Sequence, residues 1–404
     1  MKIDPCKIYK LKGVLQHYAW GGFEFIPQLL GNGNAANQPF AEYWMGAHSS
    51  APSLLIDDDV EIALDKLFLA QPELLGEHVR QKFDQLPYLF KILDVKEMLS
   101  IQVHPTKEAA EIGFDLEEEQ GIDIKAANRN YKDRNHKPEV MIALSDFWLL
   151  HGFKPADELK KVLGNIPEFR TFISLFETES YEGLFRHVMQ LSQNEVDAIL
   201  IPVVQREVRR RSFHESDKNE AGYWVGEYYL NKEAKNIDKG IFSIYFLNLV
   251  YLEEGQGIFQ AAGVPHAYLQ GQNVELMANS DNVLRAGLTN KHIDVDELVK
   301  HTRFEAVVPK IIDKSITGAG QPIKFLIDDF TISKIELSNQ QVKFTTTSPE
   351  IVICMEGKVN ISAGNQLQIN KGEVFIVFAG NEYTIVPENE AVLFKAAVPR
   401  IIHN

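Results

Sequence analysis

The stretch Val374-Phe375-Ile376-Val377-Phe378-Ala379-Gly380-Asn381-Glu382-Tyr383-Thr384-Ile385-Val386 decides the fold class, because it predicts two short apolar strands joined by a glycine turn. The same pattern recurs through residues 318–404, where short apolar runs are separated by turns such as Glu356-Gly357 and Lys371-Gly372-Glu373. Regularly spaced short strands with glycine turns are typical of an antiparallel sandwich or barrel. We therefore predict such an architecture for the end of the chain.

The sequence upstream of this region changes character twice. Apolar residues recur every three or four positions between residues 157 and 211, which predicts helices, and an apolar and aromatic run continues over 223–230. We therefore predict a helical insertion of residues 151–235. Beyond it, residues 241–252 form an apolar run that predicts a buried strand.

The first 150 residues are mixed. Short β-branched and aromatic runs at 87–93 and 140–144 predict strands, and a proline followed by early acidic residues at 105–111 predicts the start of a short helix. Residues 113–135 are polar and predict a long loop, which inside a compact domain is more often functional than idle.

Composition and charge exclude several classes of protein. The chain has 404 residues, with 41 Lys and Arg against 56 Asp and Glu, and a formal net charge of −15. Such an acidic protein is repelled by nucleic acid and by anionic membrane surfaces, so we expect neither as a partner. Two cysteines, no CxxC pair, no apolar signal region and no membrane-length apolar run lead us to expect a cytoplasmic protein.

Three short segments offer candidate metal ligands. Gln102 and His104 are two apart on a predicted strand, so they share one face, and Lys137 and Glu139 have the same spacing. His266 follows a tight Gly-x-Pro turn. Taken alone, Gln102 and His104 are more simply interpreted as a hydrogen-bonded pair. Lys137 and Glu139 alone are typical of a solvated loop, and His266 alone of a buried histidine. Together they offer one Gln, two His and one Glu, a set without thiolate that suits Zn²⁺ and also accepts other divalent metals.

The chain resembles the zinc-dependent type I mannose-6-phosphate isomerase family. The segments with the resemblance are Tyr18-Ala19-Trp20-Gly21, Ala41-Glu42-Tyr43-Trp44-Met45-Gly46-Ala47-His48, Leu99-Ser100-Ile101-Gln102-Val103-His104-Pro105, His136-Lys137-Pro138-Glu139 and Ser280-Asp281-Asn282-Val283-Leu284-Arg285-Ala286-Gly287-Leu288-Thr289. The resemblance implies a mainly β protein with two cupin (jelly-roll β-barrel) domains and a helical insertion. We divide the chain accordingly into a catalytic cupin domain (1–150 plus 236–315), the insertion (151–235) and a C-terminal cupin domain without metal (316–404).

The resemblance also implies a set of site residues. It assigns one Zn²⁺ per chain to Gln102, His104, Glu139 and His266. It implies catalytic roles for Arg285, Lys137, His136, Asp281 and Glu275, and substrate contacts for Ser100, Lys291, Lys91, Trp20 and Glu42. Packing in the core is the alternative for Trp20, and a structural role is the alternative for Glu42 and His48.

The implied reaction converts mannose 6-phosphate to fructose 6-phosphate and back through a cis-enediol. We hypothesise that Lys137 moves the proton, that Arg285 stabilises the developing charge and that His136 assists ring opening, with Glu275 and Asp281 as rival proton carriers. The alternatives are a metal-bound sugar-phosphate sensor or storage protein on the same scaffold and a cupin dioxygenase. A small-molecule sugar phosphate is the expected partner, without an obligate protein partner. The identity of the metal, the breadth of sugar specificity and the oligomeric state stay open.

Overall fold

One long strand, His266–Ala278, organises the larger sheet of the protein. The computed structural model describes residues 2–316, 322–323, 325 and 327–400, so the ends of the predicted C-terminal β region lie outside the described residues. The strands are β1 (Tyr9–Lys12), β2 (Val14–Gln16), β3 (Glu42–Gly46), β4 (Leu54–Asp57), β5 (Val60–Ala63), β6 (Tyr88–Val95), β7 (Gln102–Val103), β8 (Glu139–Ala143), β9 (Phe147–Phe153), β10 (Leu247–Leu252), β11 (Gly257–Gln260), β12 (His266–Ala278), β13 (Leu284–Arg285), β14 (Ile311–Ile312), β15 (Thr331–Ser338), β16 (Val342–Thr345), β17 (Glu350–Glu356), β18 (Lys358–Ser362), β19 (Gln366–Asn370), β20 (Val374–Val377), β21 (Glu382–Pro387) and β22 (Glu390–Ala397).

The helices cluster in the middle of the sequence. They are α1 (Phe25–Leu29), α2 (Leu64–Ala70), α3 (Glu77–Phe83), α4 (Lys107–Glu119), α5 (Ala156–Asn165), α6 (Phe172–Gln190), α7 (Gln193–Ser212), α8 (Ala221–Tyr229), α9 (Gly240–Phe246) and α10 (Val295–His301), with short 3₁₀ turns at Pro72–Leu75, Pro167–Phe169 and Lys314–Ile316. Helices α5 to α8 confirm that this part of the chain is helical, and their apolar faces share a core with α9 and β10. None of the described helices is both long enough and apolar enough to cross a bilayer.

Strand β12 runs through the larger sheet and pairs with strands on both of its sides. Residues 271–278 pair antiparallel with β6, and residues 273–277 pair with β8. The beginning of β12 pairs instead with β7 and β9. All residues of β6 and β8 are buried, because both faces of these apolar strands are covered. In these pairings the beginning of β7 lies opposite the beginning of β12, whereas the beginning of β8, Glu139, lies opposite Met277 at the end of β12. The Glu139 side chain nevertheless lies near those of His104 and His266.

The second large sheet mixes the two ends of the chain. Its strand order is β15-β22-β17-β20-β1-β4-β5, so β1, β4 and β5 from the first 63 residues continue a sheet built from the C-terminal strands. A four-stranded sheet of order β16-β21-β18-β19 faces it across a shared apolar cluster. The short C-terminal strands predicted from the glycine turns are confirmed within the described residues, and the domain boundaries stay a prediction.

Two local predictions were wrong. Residues 113–119, predicted as loop, belong to α4, whose polar composition reflects an exposed helix face, while Gly113 on its buried side packs against the ring of Tyr131. Residues 241–246, the first part of the strand predicted over 241–252, belong to α9, whereas residues 247–252 form strand β10. Every residue of α9 is buried, so the segment shows no amphipathic period that would distinguish a helix from a buried strand.

We predict that Leu276→Ala destabilises the protein. Leu276 is fully buried in β12, so truncation removes apolar contacts and leaves a cavity in the shared core, at a cost of about 2–5 kcal/mol. Leu69→Ala on α2 is the control, because Leu69 is 75% exposed and its truncation is nearly neutral. Urea unfolding of both variants measures the difference, and equal midpoints would contradict a central role for β12.

Candidate metal centre and cavity

Three strand beginnings meet to form the candidate metal centre. His266 opens β12 directly opposite Gln102 of β7, and Arg285 of β13 lies opposite the same Gln102 from the other side. The turn before His266 contains Gly263 with a φ of +79°, where a Cβ would lie 2.5 Å from the Arg303 side chain. Its N–H donates to the His104 carbonyl at 2.9 Å, which fixes the turn to the segment that presents His104.

The side chains of His104, Glu139 and His266 converge, with one ligand atom from each lying within 4.8 Å of the others. Each imidazole donates its Nδ1–H to a backbone carbonyl, His104 to Asn282 and His266 to Val264, both at 2.9 Å. These bonds fix the tautomer, because a carbonyl can only accept, and they leave a lone pair on each Nε2. Neither Nε2 forms a hydrogen bond within the described residues, and they lie 3.5 and 3.4 Å from the carboxylate oxygens of Glu139.

The protonation states match a metal-binding set. Burial lowers the pKa of His104 to about 4, so the imidazole is neutral at neutral pH. Burial alone would raise the pKa of Glu139, but Lys137 and the two histidines lower it well below its usual range. Two imidazole nitrogens and one carboxylate facing one another suit a divalent cation such as Zn²⁺. Gln102, half-buried beside them, offers an amide oxygen as a fourth ligand.

A cavity of about 690 Å³ opens beside this cluster. Most of the predicted site residues line it: Trp20, Glu42, Lys91, Ser100, Gln102, Lys137, Glu139, Glu275, Asp281, Arg285 and Lys291. His104 and His266 belong to the adjoining metal cluster. His136 does not line the cavity, because strand-like alternation directs it away from Lys137, and its Nε2 forms a 3.0 Å hydrogen bond with Asp329.

The inner wall of the cavity is a buried network around Lys91. Its Nζ lies 3.2 Å from Glu275 and 3.5 Å from Glu42, and it sits 5.1 Å from the ring centre of Trp44. Burial lowers the pKa of Lys91, but the neighbouring carboxylates outweigh it and raise the pKa overall, so Lys91 stays charged. Tyr268 donates to Glu275 at 2.8 Å, and Trp44 Nε1 donates to Glu42. Every charge on this wall is therefore paired.

Unpaired cations also line the cavity. Arg285, Lys291 and Lys232 form no ion pair with any residue in the described part of the chain. The positive charge of Arg285, followed by burial, lowers the pKa of Lys291, which shows that the two cations lie near each other. Two unneutralised cations on one cavity favour the binding of an anion there.

The local charge explains how an acidic protein accommodates an anion. Five cationic side chains and five carboxylates line the cavity, so its protein charge is balanced although the whole chain is at −15. The carboxylates Glu42, Glu139 and Glu275 contact lysines or the metal cluster, whereas Arg285 and Lys291 do not contact carboxylates. A divalent cation at the cluster makes the cavity positive overall.

Sequence reasoning missed several cavity residues. Trp44 could have been found, because it is two residues from Glu42 on β3 and so faces the same side. Tyr228 and Lys232 come from the helical insertion, and no local pattern indicates that this segment reaches the cavity. Trp20, weighed as a core residue, lines the cavity and stacks with Tyr18 at 5.9 Å between ring centres.

His48, weighed as structural, is buried at the edge of this site. Its Nε2 lies 3.4 Å from Asp281, and its Nδ1 lies 2.8 Å from the Ser50 hydroxyl. The hydrogen bond from His48 lowers the pKa of Asp281 despite partial burial, so Asp281 is a carboxylate at neutral pH. His48 therefore holds Asp281 at the cavity.

Known proteins resemble this chain along almost its whole length. Residues 8–156 match the family model "Phosphomannose isomerase type I, catalytic domain", and residues 322–392 match "Mannose-6-phosphate isomerase, cupin domain". The mannose-6-phosphate isomerase of Escherichia coli K12 is 38% identical over 96% of this chain and 98% of its own, and that of Mus musculus is 32% identical over 98% and 96%. A crystal structure of the Salmonella typhimurium enzyme bound to fructose 6-phosphate and zinc has a TM-score of 0.83 at 31% identity, covering 97% of this chain and 100% of that one.

We predict that Glu139→Gln lowers zinc affinity at least tenfold, because an amide replaces the only anionic ligand of the three-residue cluster. Competition with a chromophoric chelator measures the affinity. Glu350→Gln is the matched control, since Glu350 is equally buried and paired, with Lys395 and Tyr383, but lies in the C-terminal sheet. An unchanged affinity in Glu139→Gln would remove Glu139 from the metal centre.

Proposed function

The chain belongs to the type I phosphomannose isomerase family, and we propose that its cavity interconverts mannose 6-phosphate and fructose 6-phosphate with the help of bound Zn²⁺. The observation that supports this most directly is the joining of a metal-binding cluster, an acid–base lysine and unpaired cations in one cavity. An aldose–ketose isomerase acting on a phosphorylated sugar needs each of these three. The likeness to proteins of this activity covers nearly the whole chain.

We propose that the architecture is a pair of cupin jelly rolls with a helical insertion. The β-rich sheets and the cupin match over residues 322–392 support it. The proposed domain division is 1–150 plus 236–315, 151–235 and 316–404, with the addition that β1, β4 and β5 pair within the sheet of the C-terminal domain. A C-terminal domain without metal stays part of this proposal.

We propose that Gln102, His104, Glu139 and His266 hold the cation. A bound divalent cation stabilises the negative charge that develops on the sugar oxygens during isomerisation. Gln102, Glu139 and His266 come from three different strands, and His104 directly follows β7, so the set exists only in the folded protein. One Zn²⁺ per chain is therefore also expected to stabilise the fold.

Lys137 is the best-placed group to move the proton. Its Nζ lies 3.1 Å from Glu139 at the cavity wall, next to the metal cluster. Acting as base, it takes the proton from C2 of the open-chain aldose, which leaves a cis-enediolate, and then returns this proton to C1. A proton also moves from the C2 hydroxyl to the C1 oxygen, which completes the ketose. The same steps in reverse convert fructose 6-phosphate back.

The rival proton carriers fit less well. Both oxygens of Glu275 are engaged, one by Lys91 at 3.2 Å and the other by Tyr268 at 2.8 Å. The hydrogen bond from His48 lowers the pKa of Asp281. A carboxylate with a lowered pKa is a weaker base, so Asp281 is less suited to take a proton from carbon. His136 lies outside the cavity, so we do not retain a part in ring opening for it.

Arg285 and Lys291 are the proposed anion-binding pair. Their charges have no carboxylate partner among the described residues, so either can bind the phosphate, and the planar guanidinium of Arg285 also suits an enediolate. Ser100, on the same cavity, offers a hydroxyl donor.

A sensor or storage protein would not require Lys137 or Arg285, and the presence of both at the cavity favours the enzyme. The absence of an obligate protein partner and a cytoplasmic location stay proposals.

We predict that the protein forms fructose 6-phosphate from mannose 6-phosphate and that chelation of the metal abolishes this turnover. Returning Zn²⁺ should restore it, because the ligand cluster needs only the cation to become complete. A coupled assay that follows fructose 6-phosphate measures each stage. Turnover that survives complete chelation, confirmed by elemental analysis, would overturn the metal-dependent isomerase.

We predict that Lys137→Met lowers kcat by about 10²–10⁴-fold, the contribution of a positioned acid–base group, with zinc content retained. Lys154→Met is the matched control, because Lys154 is also shielded and donates to the Leu247 carbonyl away from the cavity. Steady-state kinetics on both variants, together with their zinc content, decide the assignment. Near-full turnover of Lys137→Met would assign the proton transfer to another group.

A further inference from the structure

Asn282 is fully buried between the cavity segment and the loop that leads to Lys137. Its side-chain oxygen accepts the backbone N–H of Lys132 at 2.7 Å and that of Asp133 at 3.3 Å. Its amide nitrogen donates to the carbonyls of Asp133 and Asn135 at 2.7 and 2.8 Å. One side chain therefore binds the backbone of residues 132–135 through four hydrogen bonds.

Asp133 makes the reciprocal connection. One of its carboxylate oxygens accepts the backbone N–H of Asp281 at 2.7 Å, and the other accepts the hydroxyl of Ser280 at 2.8 Å. It also accepts the N–H of Asn135 at 2.8 Å, within its own loop. The side chains of Asp133 and Asn282, here called the clasp, thus lock the loop and the cavity segment together from both sides.

The clasp also reaches the metal centre. The backbone carbonyl of Asn282 accepts the Nδ1–H of His104 at 2.9 Å, the bond that directs Nε2 toward Glu139. Two residues after the clasped loop lies Lys137. Asn282 is therefore connected through its carbonyl to a metal-binding imidazole and through its side chain to the loop with the proposed base.

We propose that Asn282 is a positioning residue that couples metal binding at His104 to the placement of the loop bearing Lys137. This inference rests on the proposed function and deepens it. Since the loop and the imidazole are fixed to the same residue, a cation that fixes His104 also restrains residues 132–137. By linkage, an ordered loop in turn favours the cation.

Asparagine suits this position because it is both a donor and an acceptor. Asn282→Asp keeps the shape but replaces the amide donor with an oxygen that faces the carbonyls of Asp133 and Asn135, so two hydrogen bonds become repulsive contacts. Asp133→Asn is the milder second variant, because it converts one of the accepting oxygens into a donor opposed to N–H or hydroxyl donors. Neither substitution removes a metal ligand or a cavity cation.

The control is Asn365→Asp. Asn365 likewise bridges two segments, accepting the N–H of Ile8 at 2.8 Å and donating to its carbonyl at 3.0 Å, but it lies in the turn between β18 and β19. The Asn365→Asp variant measures how much stability is lost when a bridging amide is replaced away from the metal cluster.

The experiment compares wild type, Asn282→Asp, Asp133→Asn and Asn365→Asp in three measurements. Chelator competition gives the zinc affinity, steady-state kinetics give kcat and KM, and amide hydrogen exchange of residues 131–137 is followed with and without zinc. We expect the two clasp variants to lose about 10- to 100-fold in zinc affinity and at least tenfold in kcat, as outer-shell partners of metal ligands do, with KM within threefold. In wild type and in Asn365→Asp, zinc should slow exchange of the loop, whereas in the clasp variants exchange should stay fast in both states.

The proposal fails if both clasp variants keep zinc affinity and zinc-dependent loop protection within threefold of wild type. It also fails if they lose only thermal stability, as the control does. If Asn282→Asp does not fold, Asp133→Asn decides the question on the same three measurements. If wild type shows no isomerase activity but the zinc affinity and exchange change as expected, the coupling stands and only the proposed reaction falls.

Discussion

The site depends on the convergence of two imidazole nitrogens and one carboxylate, which also has the ammonium group of Lys137 at 3.1 Å. The Nε2 atoms of His104 and His266 are buried and without hydrogen bonds among the described residues, and both face Glu139 at about 3.5 Å. Buried polar atoms in folded proteins are satisfied almost without exception. Three electron-rich atoms that face one another are unfavourable by themselves and favourable around a cation. The fold therefore holds these side chains in an arrangement that suits a metal ion.

The surrounding electrostatics follow from that constraint. Glu139 also contacts Lys137 at 3.1 Å, so the group proposed to move the proton is held by the same carboxylate that completes the cluster. Lys91 is paired with two carboxylates, whereas Arg285, Lys291 and Lys232 have no ion-pair partner among the described residues. The protein thereby separates its charges: the paired charges keep the wall rigid, and the unpaired charges are available to an anion. The net charge of −15 describes the outer surface and says little about the cavity.

The sequence predicted what depends on local pattern and missed what depends on long-range docking. The spacing of Gln102 with His104 and of Lys137 with Glu139 put the correct pairs on common faces, because alternation along a strand is local. The same alternation should have excluded His136, which lies one position out of phase with Lys137. The strand prediction was wrong for residues 241–246, because a fully buried helix and a buried strand are equally apolar. Tyr228 and Lys232 could not be found, since their place at the cavity depends on how the helical region packs against the strands of the larger sheet.

The C-terminal region contributes to this site through contacts rather than through ligands. Tyr88, at the start of the strand with Lys91, donates its hydroxyl to the carbonyls of Pro349 and Ala396 at 3.0 and 3.2 Å. Residues from β12 and β8 share one apolar cluster with β17 and β20, so the two large sheets have a common core. His136 extends this connection, because its hydrogen bond to Asp329 attaches the backbone just before Lys137 to the chain that leads into β15. The clasp therefore restrains the loop on one side and Asp329 on the other, and together they fix the position of Lys137 beside the metal ligands.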